Sequence, residues 1–123
     1  MKKIYTDKAP RPVGPYSQAI ISNGMVFTAG QIGLDPISGN LVGVDIAEQT
    51  TQVIKNLNEV LTEAGSSLQK VIKTTCYLKN MDDYTVFNEI YAKHFTNNPA
   101  RSTVEVSKLP KDALIEIEVI AEI

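Results

Sequence analysis

Arg101 is the residue whose type and position point most directly to chemistry. It lies in Asn98-Pro99-Ala100-Arg101-Ser102, where a predicted loop enters a predicted strand. A planar guanidinium at the entrance of a strand is suited to bidentate binding of a carboxylate. A surface arginine paired with a nearby glutamate would fit the same position, so Arg101 alone does not decide between the two interpretations.

The last predicted strand supplies a candidate acid or base. Glu116 alternates with apolar residues and stands on the same side as Leu114. A carboxyl group among apolar neighbours has a raised pKa and can exchange protons near neutral pH, whereas an opposing arginine would lower that pKa again. Glu118 and Glu122 fall on the same side of the strand, and each of the three also fits a solvent-exposed position. Periodicity therefore does not choose among them.

Tyr16 and Asn88 are two further polar candidates. Tyr16 follows Gly14-Pro15 in an uncharged loop, where its phenol could line a pocket or simply pack on the core. Asn88 lies in a predicted helix and fits a helix surface equally well. His94, late in that helix, is explained by the helix dipole. No candidate base accompanies Cys76, so we expect a buried, unreactive thiol.

The scarce residue types exclude several kinds of site. One cysteine rules out an intrachain disulfide and multi-cysteine zinc sites, and one histidine rules out metal sites built on a histidine pair. Twelve basic against fourteen acidic residues give a net charge of −2, which argues against nucleic-acid binding through bulk positive charge.

The N-terminus predicts no targeting segment. It begins with basic residues, but no apolar stretch of a signal peptide follows them. Residues 12–34 carry no charge, yet their prolines, glycines and amides make a poor membrane helix. With a single thiol and no export signal, we expect a cytoplasmic protein that does not span a membrane.

The pattern of apolar residues predicts one α+β domain over residues 1–123. The helices are predicted at Asp45–Ala64, with Asp45 as its cap, and at Asp82–Phe95, with Val86, Phe87, Ile90 and Tyr91 turned inward. The predicted strands are Lys2–Thr6, Ser17–Ser22, Met25–Gly30, Val71–Lys79, Ser102–Ser107 and Ala113–Ile123. Asn23-Gly24 predicts a type I′ hairpin turn. The order is ββαβαββ after a short first strand, which favours a sandwich with both helices on one face.

The two sides of the last strand differ in polarity. One side is entirely apolar and should face the helices: Ile115, Ile117, Val119, Ala121 and Ile123. The other side mixes apolar and acidic residues: Leu114, Glu116, Glu118, Ile120 and Glu122. A half-apolar sheet face with no helix left to cover it favours an oligomer over an exposed face with a few surface apolar residues.

Several motifs, taken together, closely resemble one known family. They are PARSTVEV at residues 99–106, LPKD at 109–112, IEIE at 115–118, GPYSQA at 14–19 and AGQI at 29–32. In this combination, and in their order along the chain, they resemble the Rid family of reactive intermediate deaminases, also called the endoribonuclease L-PSP family. The resemblance is collinear over nearly the whole chain, and it is to the RidA subgroup, which keeps the arginine.

The resemblance implies a fold, an assembly and a reaction. The implied fold is a chorismate-mutase-like α+β sandwich with a mixed sheet, and the implied assembly is a homotrimer with a central barrel and three clefts between subunits. The implied reaction is hydrolysis of 2-imino acids to 2-oxo acids and ammonia. Typical substrates are 2-iminobutanoate and 2-iminopropanoate, which form from the enamines released by PLP-dependent dehydratases. No metal or cofactor is implied.

The resemblance also implies roles for particular residues. Arg101 would bind the substrate carboxylate, Glu116 would activate water and pass a proton to the leaving ammonia, and Tyr16 would hydrogen-bond in the cleft. The remaining cleft residues would be Gly30, Asn88, Thr103 and Ala29. Ala29 and Thr103 depart from the serine and cysteine that many relatives have, which removes one hydroxyl and one thiol.

Two other functions compete with the deaminase. A non-catalytic module that binds small 2-oxo acids would use the same Arg101, so only a test on Glu116 separates the two. A ribonuclease would usually need a histidine pair or a metal, and the negative net charge also argues against it.

Overall fold

The sheet and its two helices determine where the candidate residues lie. A computed structural model describes residues 1–123. Seven strands and two helices follow in the order β1 Lys2–Ile4, β2 Ala19–Ser22, β3 Met25–Thr28, β4 Gln31–Ile32, α1 Ile46–Glu63, β5 Val71–Leu78, α2 Tyr84–His94, β6 Ala100–Glu105 and β7 Ile115–Glu122. The strands form one mixed sheet in the order β1-β2-β3-β7-β5-β6, with β4 paired to β7. The predicted α+β architecture is therefore confirmed.

The first hairpin has the predicted turn chemistry. Asn23 and Gly24 both adopt positive φ, at 51° and 74°. A type I′ turn requires positive φ at both central positions, which asparagine and glycine tolerate best. The turn fixes the pairing of β2 with β3, in which Ala19 lies opposite Thr28.

Helix α1 begins and ends as its sequence indicates. The Asp45 carboxylate accepts a hydrogen bond from the Glu48 amide over 2.8 Å, and Gly65 with φ 83° follows the last turn. Its buried face packs on the sheet and includes Ile46, Val53, Ile54, Leu57, Val60 and Leu61. No helix of the protein is both long and apolar enough to cross a membrane.

Helix α2 connects β5 to β6, and Ile90 packs against the core as predicted. Phe87 and Tyr91 are buried, but Val86 is 42% exposed, so its predicted inward position is wrong. The helix begins at Tyr84, and residues 84, 87 and 91 then share the inner stripe at helical spacing. Because β5 and β6 are parallel, this crossover helix must cover the sheet beside them.

Strand β7 lies at the centre of the sheet and has the two predicted sides. Ile115, Ile117, Val119 and Ala121 are buried under the helices, whereas Ile123 lies beyond the strand and is 48% exposed. On the opposite face, Ile120 lies beside Phe27, which is 42% exposed. The mixed, helix-free face expected from the sequence is therefore present.

Candidate active site

Arg101 lies inside β6, whereas the sequence pattern placed it in the loop before the strand. Its Cα pairs with that of Thr74 on β5, and Thr74 is fully buried beneath the helices. Paired residues of neighbouring strands point to the same face of a sheet. The Arg101 side chain therefore extends from the helix-covered face toward α2.

Two side chains of α2 accept hydrogen bonds from the Arg101 guanidinium. Its Nη1 donates to Oδ1 of Asn88 over 2.8 Å, and its Nη2 donates to the hydroxyl of Tyr84 over 2.5 Å. The other N–H donors of the guanidinium make no hydrogen bond within the chain, and a guanidinium has enough donors to bind a carboxylate with them. The structure thus brings Arg101 and Asn88 together.

Aromatic rings surround the same guanidinium. Its Cζ lies 4.7 Å from the ring centre of Tyr91, 5.5 Å from that of Tyr84 and 5.6 Å from that of Phe87. Such contacts attract a cation to the ring faces and shield it from water. The sequence predicted that Phe87 and Tyr91 turn inward, but it assigned none of the three rings to the arginine site, although their spacing around Asn88 on α2 places all of them on one helix stripe.

A cavity of about 420 Å³ opens beside Arg101. It is lined by Asn88, Tyr91, Ala92, Phe95, Asn98, Pro99 and Arg101. Because one wall carries a guanidinium with unpaired donors, the cavity is suited to a small anion.

Glu116 projects from the other face of the sheet. It lies opposite Tyr77 of β5, and its neighbours in sequence, Ile115 and Ile117, point into the core. Glu116 is half-buried, and this burial is the main cause that raises its pKa above the ordinary value, with the negative charge of Glu118 as a smaller one. A carboxyl group held in this way can act as a proton acceptor and donor.

Glu118 differs from Glu116 in having a hydrogen-bond partner. The Tyr77 hydroxyl donates to Oε1 of Glu118 over 2.8 Å. This bond and the charge of Glu118 raise the pKa of Tyr77, so its phenol stays protonated. The Glu118 carboxylate thus bonds Tyr77, whereas the Glu116 carboxylate accepts no hydrogen bond within the chain, and Glu122 is exposed. These differences separate the three carboxylates that periodicity could not.

A second cavity, of about 390 Å³, contains Glu116. Four residues singled out from the sequence line it together: Tyr16, Ala29, Gly30 and Glu116. Two cationic residues that sequence reasoning missed, Arg11 and Lys111, also line it. Lys111 belongs to the LPKD motif, but no role was assigned to it there, and Arg11 lies outside every quoted motif.

The loop that carries Tyr16 is fixed by a buried amide. Gln18 is 1% exposed, accepts a hydrogen bond from the Thr6 amide over 2.7 Å, and donates to the carbonyls of Thr6 and Pro10, each over 3.0 Å. Because buried polar groups are stable only when they are paired, these bonds hold the loop in one position. The wall of the Glu116 cavity formed by this loop is therefore built into the fold.

Thr103 lines neither cavity. It pairs with Cys76 on the helix-covered face, and its buried Oγ1 has no hydrogen-bond partner. Burial raises the pKa of Cys76 to about 11, so its thiol is protonated at neutral pH, in agreement with an unreactive cysteine. No group of three histidine, cysteine, aspartate or glutamate side chains lies close enough to hold a metal ion.

Within one chain the two cavities are separate. Arg101 pairs with Thr74 and Glu116 pairs with Tyr77, so they lie two strands and three residues apart, about 14 Å between Cα atoms. Their side chains also point to opposite faces of the sheet. A single copy of the chain therefore cannot bring the guanidinium and this carboxylate to one small ligand.

The fold and the site define an α+β protein with a mixed sheet and two helices on one face. It carries an arginine beneath α2 and, on the open face, a glutamate whose carboxylate accepts no hydrogen bond within the chain. The family model described as endoribonuclease L-PSP matches residues 6–123. The chain belongs to this family, and the resemblance to the Rid proteins is confirmed.

Named relatives cover nearly the whole chain. A Lactococcus lactis protein described as the regulator AldR is 53% identical and covers 100% of this chain and 98% of its own. The human 2-iminobutanoate/2-iminopropanoate deaminase is 45% identical over 96% of this chain and 87% of its own. The crystal structure of the Rid protein YyfA from Yersinia pestis is 50% identical, with a TM-score of 0.96, and the match covers 99% of this chain and 98% of that one.

Proposed function

We propose that the protein hydrolyses 2-imino acids to 2-oxo acids and ammonia, with 2-iminobutanoate and 2-iminopropanoate as substrates. The observation that carries the proposal is the combination of a guanidinium with unpaired N–H donors and a half-buried carboxyl group with a raised pKa. The human relative that bears this activity in its name supports the same reaction.

Arg101, Glu116 and Tyr16 have different roles in the reaction. Arg101 binds the substrate carboxylate, which places the C=N carbon at a fixed position. Ionised Glu116 takes a proton from water as the oxygen adds to that carbon, and the C=N double bond becomes a C–N single bond. Glu116 then returns this proton to nitrogen, which gives a carbinolamine. It next takes the proton of the new hydroxyl group and passes it to the same nitrogen, so that the C–N bond breaks as the C=O bond forms, ammonia leaves, and Glu116 is ionised again. Tyr16 donates a hydrogen bond in the same cleft.

The complete site forms between copies of the chain. Arg101 and Glu116 point to opposite faces of one sheet, so a neighbouring copy must supply one of them. The helix-free face carries Phe27, Ile120 and Val104, an apolar surface suited to association. We expect a homotrimer with a central barrel, three equivalent clefts and no requirement for a cofactor.

A mixing experiment tests whether the site is shared. Arg101→Ala and Glu116→Gln are each expected to be inactive, because each lacks one half of every site. When equal amounts are unfolded and refolded together, about a quarter of the sites take both intact halves from different copies in a closed ring, so about a quarter of wild-type activity returns. Refolding each variant alone is the control. No recovery in verified mixed oligomers would contradict a shared site.

The reaction itself is tested in a coupled assay. Threonine and a PLP-dependent threonine dehydratase generate 2-iminobutanoate, and the appearance of 2-oxobutanoate is followed with and without the protein. We expect the wild type to accelerate the step from imine to oxo acid. Serine replaces threonine to test 2-iminopropanoate. A protein that accelerates neither reaction is not the proposed deaminase.

Gly30 gives a local test of how Glu116 is positioned. A methyl group at residue 30 would lie 2.7 Å from Cδ and 2.9 Å from Cγ of Glu116, so the carboxylate must move. We expect Gly30→Ala to lower kcat about 10²-fold, because small misplacements of a catalytic group have effects of this size. The fold should persist, since a flexible side chain absorbs the contact.

The matched control is the double variant Gly30→Ala/Glu116→Ala, compared with Glu116→Ala alone. In the Glu116→Ala background no carboxylate remains to be displaced, so adding Gly30→Ala should produce no further loss of kcat. Wild-type kcat in the single variant, or an equal loss in both backgrounds, would show that Gly30 acts in some other way.

A regulatory module that binds 2-oxo acids is the second candidate, and the relative described as a regulator favours it. It would use Arg101 in the same manner but would not need Glu116 as a base. If calorimetry finds that 2-oxobutanoate binds wild type and Glu116→Gln equally, and neither turns over imines, this second function replaces the first.

A further inference from the structure

We propose that Tyr84 is a positioning residue for Arg101. Its hydroxyl and the Asn88 side chain together fix the plane of the guanidinium, so that the N–H donors left unpaired face the cavity where the carboxylate binds. The inference rests on the proposed function only in that Arg101 is taken to bind a carboxylate.

The geometry shows two separate anchor points. Tyr84 holds Nη2 over 2.5 Å and Asn88 holds Nη1 over 2.8 Å, so both terminal nitrogens of Arg101 are fixed. One hydrogen bond alone would leave the guanidinium free to rotate about the bonded nitrogen. Two bonds to different nitrogens define a plane, and a bidentate pair with a carboxylate requires that plane.

Tyr84 is itself held in place from both directions. Its ring packs against that of Phe87, with centres 6.0 Å apart. The short turn Met81–Asp83 precedes it, and the Met81 amide donates to Oε1 of Glu105 over 2.9 Å. Glu105 ends β6, the strand that carries Arg101. The turn that leads into Tyr84 is thus bonded to the strand that carries Arg101.

Pre-alignment should act mainly on binding. A flexible arginine loses side-chain freedom when it binds a ligand, whereas one already held by the protein loses little. The carboxylate is bound in the substrate and in the transition state alike, so losing the alignment should raise KM and leave kcat nearly unchanged. Hydrogen bonds to charged groups have effects large enough to measure in this way.

Tyr84→Phe is the decisive variant, because it removes the hydroxyl and keeps the ring. We expect KM for 2-iminobutanoate and Kd for 2-oxobutanoate to rise about tenfold, with kcat within about twofold of wild type. Tyr5→Phe is the matched control, since the Tyr5 hydroxyl also bonds a charged group, Asp7, but in an exposed segment away from Arg101. Its KM and Kd should not change.

Two further measurements separate positioning from general stability. In the Arg101→Lys background, Tyr84→Phe should add little, because an ammonium has no plane to align. By nitrogen-15 NMR, rotation of the Arg101 guanidinium about its Cζ–Nε bond should be faster in Tyr84→Phe than in wild type. Neither result is expected if the hydroxyl merely stabilises the fold.

The outcomes distinguish this inference from the proposed function. Unchanged Kd and unchanged guanidinium rotation in Tyr84→Phe overturn the role of Tyr84, while Arg101→Ala can still confirm the carboxylate site. An equal loss from Tyr84→Phe in the wild-type and the Arg101→Lys backgrounds also overturns it. A wild type that neither turns over imines nor binds 2-oxobutanoate overturns both proposals.

Discussion

Arg101→Ala is expected to lower kcat/KM for 2-iminobutanoate by about 10² to 10³-fold, because removing one partner of a shielded, hydrogen-bonded charge pair costs about 3–4 kcal/mol. The guanidinium lies among three aromatic rings, where water competes poorly for the carboxylate. The coupled dehydratase assay measures the loss.

Arg101→Lys is the informative companion to this variant. It keeps the positive charge and loses the planar pair of donors, so its kcat/KM should fall between those of wild type and Arg101→Ala. Thermal unfolding controls for the loss of the bonds to Asn88 and Tyr84. Activity retained in a folded Arg101→Ala protein would exclude Arg101 as the carboxylate site.

Glu116→Gln is expected to lower kcat by about 10² to 10⁴-fold, the usual contribution of a general acid–base group. Binding of 2-oxobutanoate should persist, because Arg101 remains in place. The pKa of Glu116 is raised by its burial and then by Glu118, and the base works only when ionised. The acidic limb of the wild-type kcat profile should therefore lie above the ordinary glutamate pKa, and the residual activity of Glu116→Gln should lack that limb.

The same raised pKa has a consequence for stability that serves as a control. Between the ordinary pKa of 4.5 and the raised value, the folded protein binds more protons at Glu116 than the unfolded chain. The free energy of unfolding should therefore fall as pH rises through this window, and Glu116→Gln should remove that slope. Urea unfolding across the window measures it. If the free energy of unfolding of the wild type instead rises with pH as Glu116 ionises, an opposing cation, such as Arg101 of another copy, has lowered the pKa of Glu116 again.

Much of the fold could be predicted because local signals decide it. Asn23-Gly24 specifies its turn, and Asp45 and Gly65 mark the ends of α1. The errors arise where tertiary pairing decides. The inward position predicted for Val86 is one such error, and the register shift between Val71 and Lys73, beside which Ile72 is 40% exposed, is a feature of strand pairing that the sequence does not signal.

The candidate site could be predicted in its members but not in its arrangement. The motifs that resemble the Rid family include Arg101 and Glu116. That Arg101 and Glu116 lie on opposite faces of the sheet follows only from the pairing of both strands with β5, which no local sequence pattern indicates. The Tyr84 hydroxyl was missed for a similar reason, since a tyrosine at a helix start has no distinctive signal until the strand beside it is placed.

The two halves of the site differ in how much of the chain must be assembled before they exist. Arg101 bonds Asn88 and Tyr84, only 13 and 17 residues away, within the single unit β5-α2-β6. The Glu116 half forms only when β7 pairs with β3 and β4. That pairing includes a hydrogen bond from the Val119 amide to the Thr28 hydroxyl, which are 91 residues apart in the chain. Because loop closure over long separations is slow, the carboxylate-binding half should form early during folding and the water-activating half last. When the full chain refolds from denaturant, an ordered arginine pocket should therefore precede a positioned base.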